Sequence, residues 1–330
     1  MKNFRKIGLS ALAGSLAMFS VNADIGISGS SELTYTSNSG TNGSASVNGN
    51  PYAMSHDINI TGTGELDNGF TYSVNTNFAG QDMAQDSSIF KLDMGDLGTV
   101  GFDQGSGAFG ISTLENKVPT AYEEADHGVG SLEHGIDAVG NTNVIGYSNT
   151  IAGVGISLQY NPDTNTQTMR QAGTTNGAGS TGSNWNGALS MAVPGLDGMT
   201  LAVGYSDTDN DGLVTDNSEV TAALNYTMGA VSVGYQQSSV NNNGGSTGAE
   251  VTAYGIALNV NENLSISYSV NENEKTNASA AHVTEESTGI QAAYSMGSAS
   301  VRLAVNEADN VNGVAGVSKE NTELSLALAF

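Results

Sequence analysis

Phe70, Tyr72, Val74 and Phe78 alternate with Thr71, Ser73, Asn75 and Asn77, a period of two that belongs to a β-strand with one apolar and one polar face. The pattern recurs from Met199 to Tyr205, Val220 to Tyr226, Val231 to Tyr235 and Leu264 to Val270. The polar partners are mostly Ser, Thr, Asn, Gly and Ala, a poor protein core but a good wall for water. One face wants hydrocarbon and the other wants solvent. Two all-β folds answer that demand: a membrane-spanning barrel, or a sandwich whose apolar faces meet.

The connections separate the two. Tight ones fall at Asp67-Asn68-Gly69, Asp96-Leu97-Gly98, Ala152-Gly153, 195–198, 228–230, 261–263 and Gly297-Ser298, where Gly and Asn supply the positive φ of short hairpins. Between them lie longer polar stretches, 38–51, 81–86, 105–141, 161–184, 207–217, 239–248, 271–282 and 307–317. Seven short and eight long connections in strict alternation join 16 strands, with every tight turn on one rim and every long loop on the other. A sandwich rarely needs so many strands. Tyr35, Tyr160, Tyr205, Tyr235 and Tyr268 trace to the long-loop side and Phe70, Tyr147, Tyr226 and Tyr294 to the turn side, as two aromatic girdles would.

Lys2, Arg5 and Lys6 precede an apolar run from Ile7 to Val21, and Val21-Asn22-Ala23 has the small-x-small form of a cleavage site. Residues 1–23 are therefore expected to be a removed signal peptide, leaving 24–330 as the barrel domain. The run is too short for a transmembrane helix. A formal charge of −24 and the absence of Cys exclude nucleic acid as a partner and thiolate chemistry as a mechanism.

The stretch Met94 to Asp103, "MGDLGTVGFD", the long segment after it, and the ending "LSLALAF" with Phe330 last carry a resemblance to the general diffusion porins of Gram-negative bacteria. That resemblance implies a 16-stranded antiparallel transmembrane β-barrel, a third loop (105–141) folded into the lumen, and a homotrimer in the outer membrane. It also implies that the final strand, with Leu324, Leu326, Leu328 and Phe330, is read by the barrel-assembly machinery. The chain lacks the Pro-Glu-Phe-Gly-Gly element of many members' third loop and their dense arginine ladder.

The long segment holds Glu115, Glu123, Glu124, Asp126, Glu133 and Asp137, with Lys117 as its only base. Carboxylates around a narrow, low-dielectric throat concentrate cations and repel anions. Alternation turns Asp57, Asp93 and Asp103 inward beside Ile58, Leu92 and Phe102, and it puts Lys91 and Arg302 on the same phase, opposite the acidic loop. The expected function is a water-filled channel for small hydrophilic solutes and cations, without a cofactor and without catalysis.

Other motifs pull elsewhere. "GSGAFG" (105–110) matches a dinucleotide fingerprint, but no helix follows and the flanking strands alternate. "DTDNDG" places Asp207, Asp209 and Asp211 at calcium-loop positions, while Glu219 comes one residue late. That keeps open an alternative: an exported acidic β-rich surface, structural or calcium-binding protein.

Overall fold

A computed structural model describes residues 24–41, 49–130, 136, 142–162, 182–209, 217–242, 248–275 and 283–330; the expected signal peptide lies outside them. The first strands are β1 (Asp24–Gly40), β2 (Tyr52–Glu65), β3 (Thr71–Gly80) and β4 (Ala84–Asp93). Next come β5 (Thr99–Gln104), β6 (Thr142–Ile151), β7 (Val154–Asn161) and β8 (Ser183–Ala192). The chain continues through β9 (Met199–Asp209), β10 (Asn217–Met228), β11 (Val231–Asn242) and β12 (Ala249–Asn259). It ends with β13 (Leu264–Lys275), β14 (Glu285–Met296), β15 (Ala299–Asp309) and β16 (Ser318–Ala329).

Each strand pairs antiparallel with its neighbours in sequence, and β16 pairs with β1 to close the sheet. At that junction Leu33 faces Leu326, Tyr35 faces Leu324, and Phe330 exchanges backbone hydrogen bonds with Gly29 at 2.8 and 2.9 Å. Closure leaves no strand edge, which matters because an unpaired amide or carbonyl in hydrocarbon costs several kcal/mol, on the order of a lost hydrogen bond in an apolar medium. The seven tight turns all join consecutive strands where the sequence places them.

The two faces are inverted relative to a water-soluble protein. On β9 the side chains of Leu201, Val203 and Tyr205 are exposed, whereas Ala202, Gly204 and Ser206 between them are buried. A sandwich would cover the apolar set, so that alternative fails here. The five tyrosines expected at the long-loop boundary, Tyr35, Tyr160, Tyr205, Tyr235 and Tyr268, all stand exposed, with Tyr52, Trp185 and Tyr254 beside the first four. Tyr35 and Tyr52 are direct cross-strand partners with ring centroids 5.4 Å apart, and Trp185 lies 5.5 Å from Tyr205.

Two expectations need correction. The connection expected over 81–86 contains only Gln81, Asp82 and Met83, because Ala84 and Gln85 already pair with Ala79 and Phe78 across a register shift at Asn77/Phe78. The connections expected over 207–217, 271–282 and 307–317 are shorter too, since β9, β13 and β15 extend to Asp209, Lys275 and Asp309, whereas the one over 105–141 keeps its expected bounds. Conversely, β5 has only 6 residues. A register shift between Asp103 and Gln104 breaks its ladder with β6, and Gly105 turns the chain with φ +92°. The long segment that follows leaves the sheet there.

Candidate functional site

The segment leaving β5 is fixed at its first turn by Asp103. This carboxylate accepts the Ser106 N–H on Oδ1 at 2.8 Å and the Ala108 N–H on Oδ2 at 3.0 Å. Asp103 points inward as alternation requires, yet it is fully buried beneath the segment it holds and does not line open lumen. Phe109 comes next and is 1% exposed. Its ring covers Gly101 of β5 and Gly146 of β6, where any β-carbon would collide with it, and the Lys91 ammonium lies 5.7 Å from its centroid.

From Phe109 the chain crosses the inward faces of the following strands almost in sequence order. The Gly110 N–H donates to Ser157 Oγ of β7 and the Ile111 N–H to Asn186 Oδ1 of β8, both at 2.8 Å. Ile111 and Leu114, in a short 3-10 turn, pack on Ala188, Ala202 and Ala223 of β8, β9 and β10. Gln236 of β11 donates to the Leu114 carbonyl at 2.7 Å and accepts the Lys117 N–H at 3.0 Å. Pro119 and Val118 lie over Gly234 of β11 and Gly255 of β12. The Ala121 N–H then reaches Ser267 Oγ of β13 at 2.8 Å, and Asn306 of β15 donates to the Glu124 and His127 carbonyls at 3.1 and 2.9 Å.

These contacts follow from a backbone requirement. A segment buried against a sheet without joining its ladder must find partners for its own N–H and C=O groups, and wall side chains provide them. The inward Ser, Asn, Gln, Gly and Ala were expected to face water. On β6 to β15 many instead hydrogen-bond the segment or make room for it.

At its far end the segment meets the closing strands. Tyr122 donates its hydroxyl to Glu323 Oε1 of β16 at 2.7 Å and lies 2.9 Å from Glu32 Oε1 of β1. Arg302 of β15 pairs with that same Glu32 oxygen at 2.6 Å, reaches Ser325 Oγ at 2.9 Å, and stacks its guanidinium 4.4 Å from the Tyr122 ring centroid. Burial first, then the bond to Glu323, keeps the Tyr122 phenol protonated well above its ordinary range. His127 sits between two carboxylates, with Nδ1 3.6 Å from Glu123 Oε2 and Nε2 3.5 Å from Glu323 Oε2. Its pKa is raised, chiefly by the hydrogen bond with Glu323, against the opposing pull of burial.

The acids expected in this segment are placed differently from one another. Glu115 is exposed, Glu123 and Glu124 are half-buried, and Asp126 is buried with Asn271 Nδ2 3.2 Å from its Oδ2. Glu133 and Asp137 lie outside the described residues. On the opposite wall Asp57 accepts from Asn59 and Asn77 at 2.9 and 2.6 Å. Asp93 holds the Gly95 N–H at 2.8 Å in the adjoining tight turn. Lys91 and Arg302 do not confront the acidic loop as free charges: one rests on Phe109 and the other is matched to Glu32. Asp207 and Asp209 belong to the extended strand β9, on the phase of Tyr205, not to a loop, and Asp211 lies outside the described residues.

Glu32, Tyr122 and Glu323 are the site residues that sequence reasoning missed. The signal was present for both acids, since each precedes an outward leucine, Leu33 or Leu324. Tyr122 carried no such signal. Beneath the first part of the segment a cleft of about 540 Å³ opens along Asp93, Thr99, Ser148, Ser157 and Ser190. Several hydroxyls and one carboxylate, that of Asp93, line the space, a setting for hydrated ions and small polar solutes.

The family model for Gram-negative porins matches residues 8–327. No curated protein matches the sequence. Among solved structures, an anion-selective porin from Comamonas acidovorans is similar with a TM-score of 0.67 and 14% identity, over 94% of this chain and 100% of that one. A triple mutant of Rhodopseudomonas blastica porin gives a TM-score of 0.61 and 19% identity, over 93% and 100%. A Salmonella typhi OmpF complex with daunomycin gives 0.66 and 12%, over 93% and 97%. At such identities the likeness is one of fold.

Proposed function

The chain belongs to the Gram-negative porin family, and from that premise we propose that it forms a water-filled outer-membrane channel that passes small hydrophilic solutes and prefers cations. The observation that carries the preference is the charge balance along the segment and its facing wall. Asp57, Glu115, Glu123 and Glu124 stand partly or fully exposed along the segment and its facing wall against Lys117 and Lys91, while Arg302 is already paired with Glu32 and Glu323 is buried. Fixed negative charge between low-dielectric walls lowers the energy of a passing cation and raises that of an anion. Fold alone does not set the sign, since an anion-selective porin shares the architecture. The side chains on the passage set it.

In this reading the segment 105–141 is the constriction, residues 1–23 are the export signal, three copies assemble in the outer membrane, and the β16 strand ending in Phe330 is what the barrel-assembly machinery recognises. The test is a reversal-potential measurement in a planar bilayer with a salt gradient. A potential of the sign that reports cation flux is expected at ~0.1 M, fading toward 1 M as the Debye length shrinks from ~10 to ~3 Å. Anion preference at low salt would overturn the selectivity, and the absence of discrete conductance steps would overturn the channel.

A further inference from the structure

His127, Glu123 and Glu323 bring one imidazole and two carboxylates together, one ligand atom from each lying within 4.8 Å of the others. Two come from the loop and one from the wall. The imidazole edges, 3.5 Å from Nε2 to Glu323 and 3.6 Å from Nδ1 to Glu123, are long for charge-assisted hydrogen bonds, which settle at ~2.7–2.9 Å. Only one ring nitrogen can bind a given ion, and the Nε2–Oε2 separation to Glu323 fits a different spacing. Two ligands each ~2.1 Å from a common tetrahedral ion stand about 3.4 Å apart.

The surroundings hold these ligands in place. Glu323 Oε1 is occupied by the Tyr122 hydroxyl at 2.7 Å, which leaves Oε2 directed at the imidazole. A ligating carboxylate steadied through its second oxygen is the usual supporting arrangement in metal sites. The loop backbone is fixed as well, because the His127 carbonyl accepts from Asn306 and the His127 N–H donates to the Glu124 carbonyl at 3.2 Å. That turn places residues 123 and 127 on one side.

We propose that Glu123, His127 and Glu323 bind a divalent transition-metal ion of the zinc class, with His127 Nε2 and Glu323 Oε2 as its best-placed ligands and water completing the shell. An imidazole donor favours Zn2+, Ni2+ or Cu2+ over Ca2+ and Mg2+, which take oxygen ligands. The bound ion ties the loop to β16 and neutralises acidic charge in the passage. The site goes beyond the channel reading, and its binding does not depend on it.

The test is Zn2+ titration of the purified, detergent-folded protein by calorimetry, with Co2+ as a spectroscopic probe. The expected result is one saturable equivalent, an intense tetrahedral-type Co2+ absorption that excess Mg2+ does not displace, and at least about a tenfold loss of affinity in His127→Gln and in Glu323→Gln. No saturable Zn2+ binding to the wild type, or affinity unchanged in His127→Gln, would overturn the site. The wild-type Co2+ spectrum decides the matter even where a variant fails to fold. Bilayer recordings separate the two proposals: binding without conductance steps overturns the channel alone, and conductance without binding overturns the site alone.

Discussion

Replacing Phe109 with alanine should release the start of the inner loop while leaving the barrel closed. The ring is 1% exposed and covers Gly101 and Gly146, so its loss opens a cavity over two residues that have no side chain with which to refill it. Buried Phe→Ala substitutions cost about 3–5 kcal/mol. The cost falls on loop docking, because the ladder between β5 and β6 does not use the ring. The next anchors, Gly110 to Ser157 and Ile111 to Asn186, contribute about 1 kcal/mol each and cannot offset it. Amide exchange read residue by residue at 106–111 measures this local opening directly. A drop in opening free energy of about 3 kcal/mol or more is expected there, with the core strands unchanged and the unit conductance raised. Gly146→Leu alone should cost about 1–3 kcal/mol by overpacking against Phe109. In the Phe109→Ala background it should restore part of the loss, with a coupling of about 1–3 kcal/mol. Exchange at 106–111 within about 1 kcal/mol of wild type, or strictly additive effects, would refute the anchoring role.

Arg302→Gln leaves Glu32 without its cation, and a unit charge ~10 Å from a passing ion in water is worth about 0.4 kcal/mol. That amount favours the cation and disfavours the anion, so the cation-to-anion permeability ratio should rise by up to about fourfold at low salt and return to the wild-type value at 1 M. Raised above its ordinary 6.5 by Glu323, His127 should clamp loop to wall fully below about pH 6.5 and lose that contribution as pH climbs through its folded value. Amide exchange around His127 should then accelerate as the medium turns alkaline, beyond the intrinsic rate, and His127→Gln should abolish that step. Deleting Phe330 removes the two backbone bonds to Gly29 at the barrel junction. The yield of folded outer-membrane barrel should fall, and an unchanged yield would remove the residue from the assembly signal.

How much could be read in advance depended on the range of the interaction involved. The turns at Asp67-Asn68-Gly69 and Gly297-Ser298 were legible because hairpin chemistry is local, and the inward phase of Asp57 and Arg302 followed from their neighbours. The same rule was available for Glu32 and Glu323. What covers an inward residue was not legible: Asp103 obeys the alternation and still ends beneath Ser106 and Ala108.

Sequence alone determined the strand number, the two rims and the face each side chain presents, since period and turn chemistry repeat over a few residues and hydrocarbon outside tolerates only a closed sheet. Tertiary structure decided which inward residues line the passage and which lie beneath the loop. Lys117 meets Gln236 across 119 positions and Tyr122 meets Glu323 across 201, distances at which no periodicity carries information. The small residues at 146, 204, 234 and 255 mark part of the route the loop takes. In the sequence they are indistinguishable from glycines facing water, because a missing β-carbon says that something comes close only once the thing that comes close is in place.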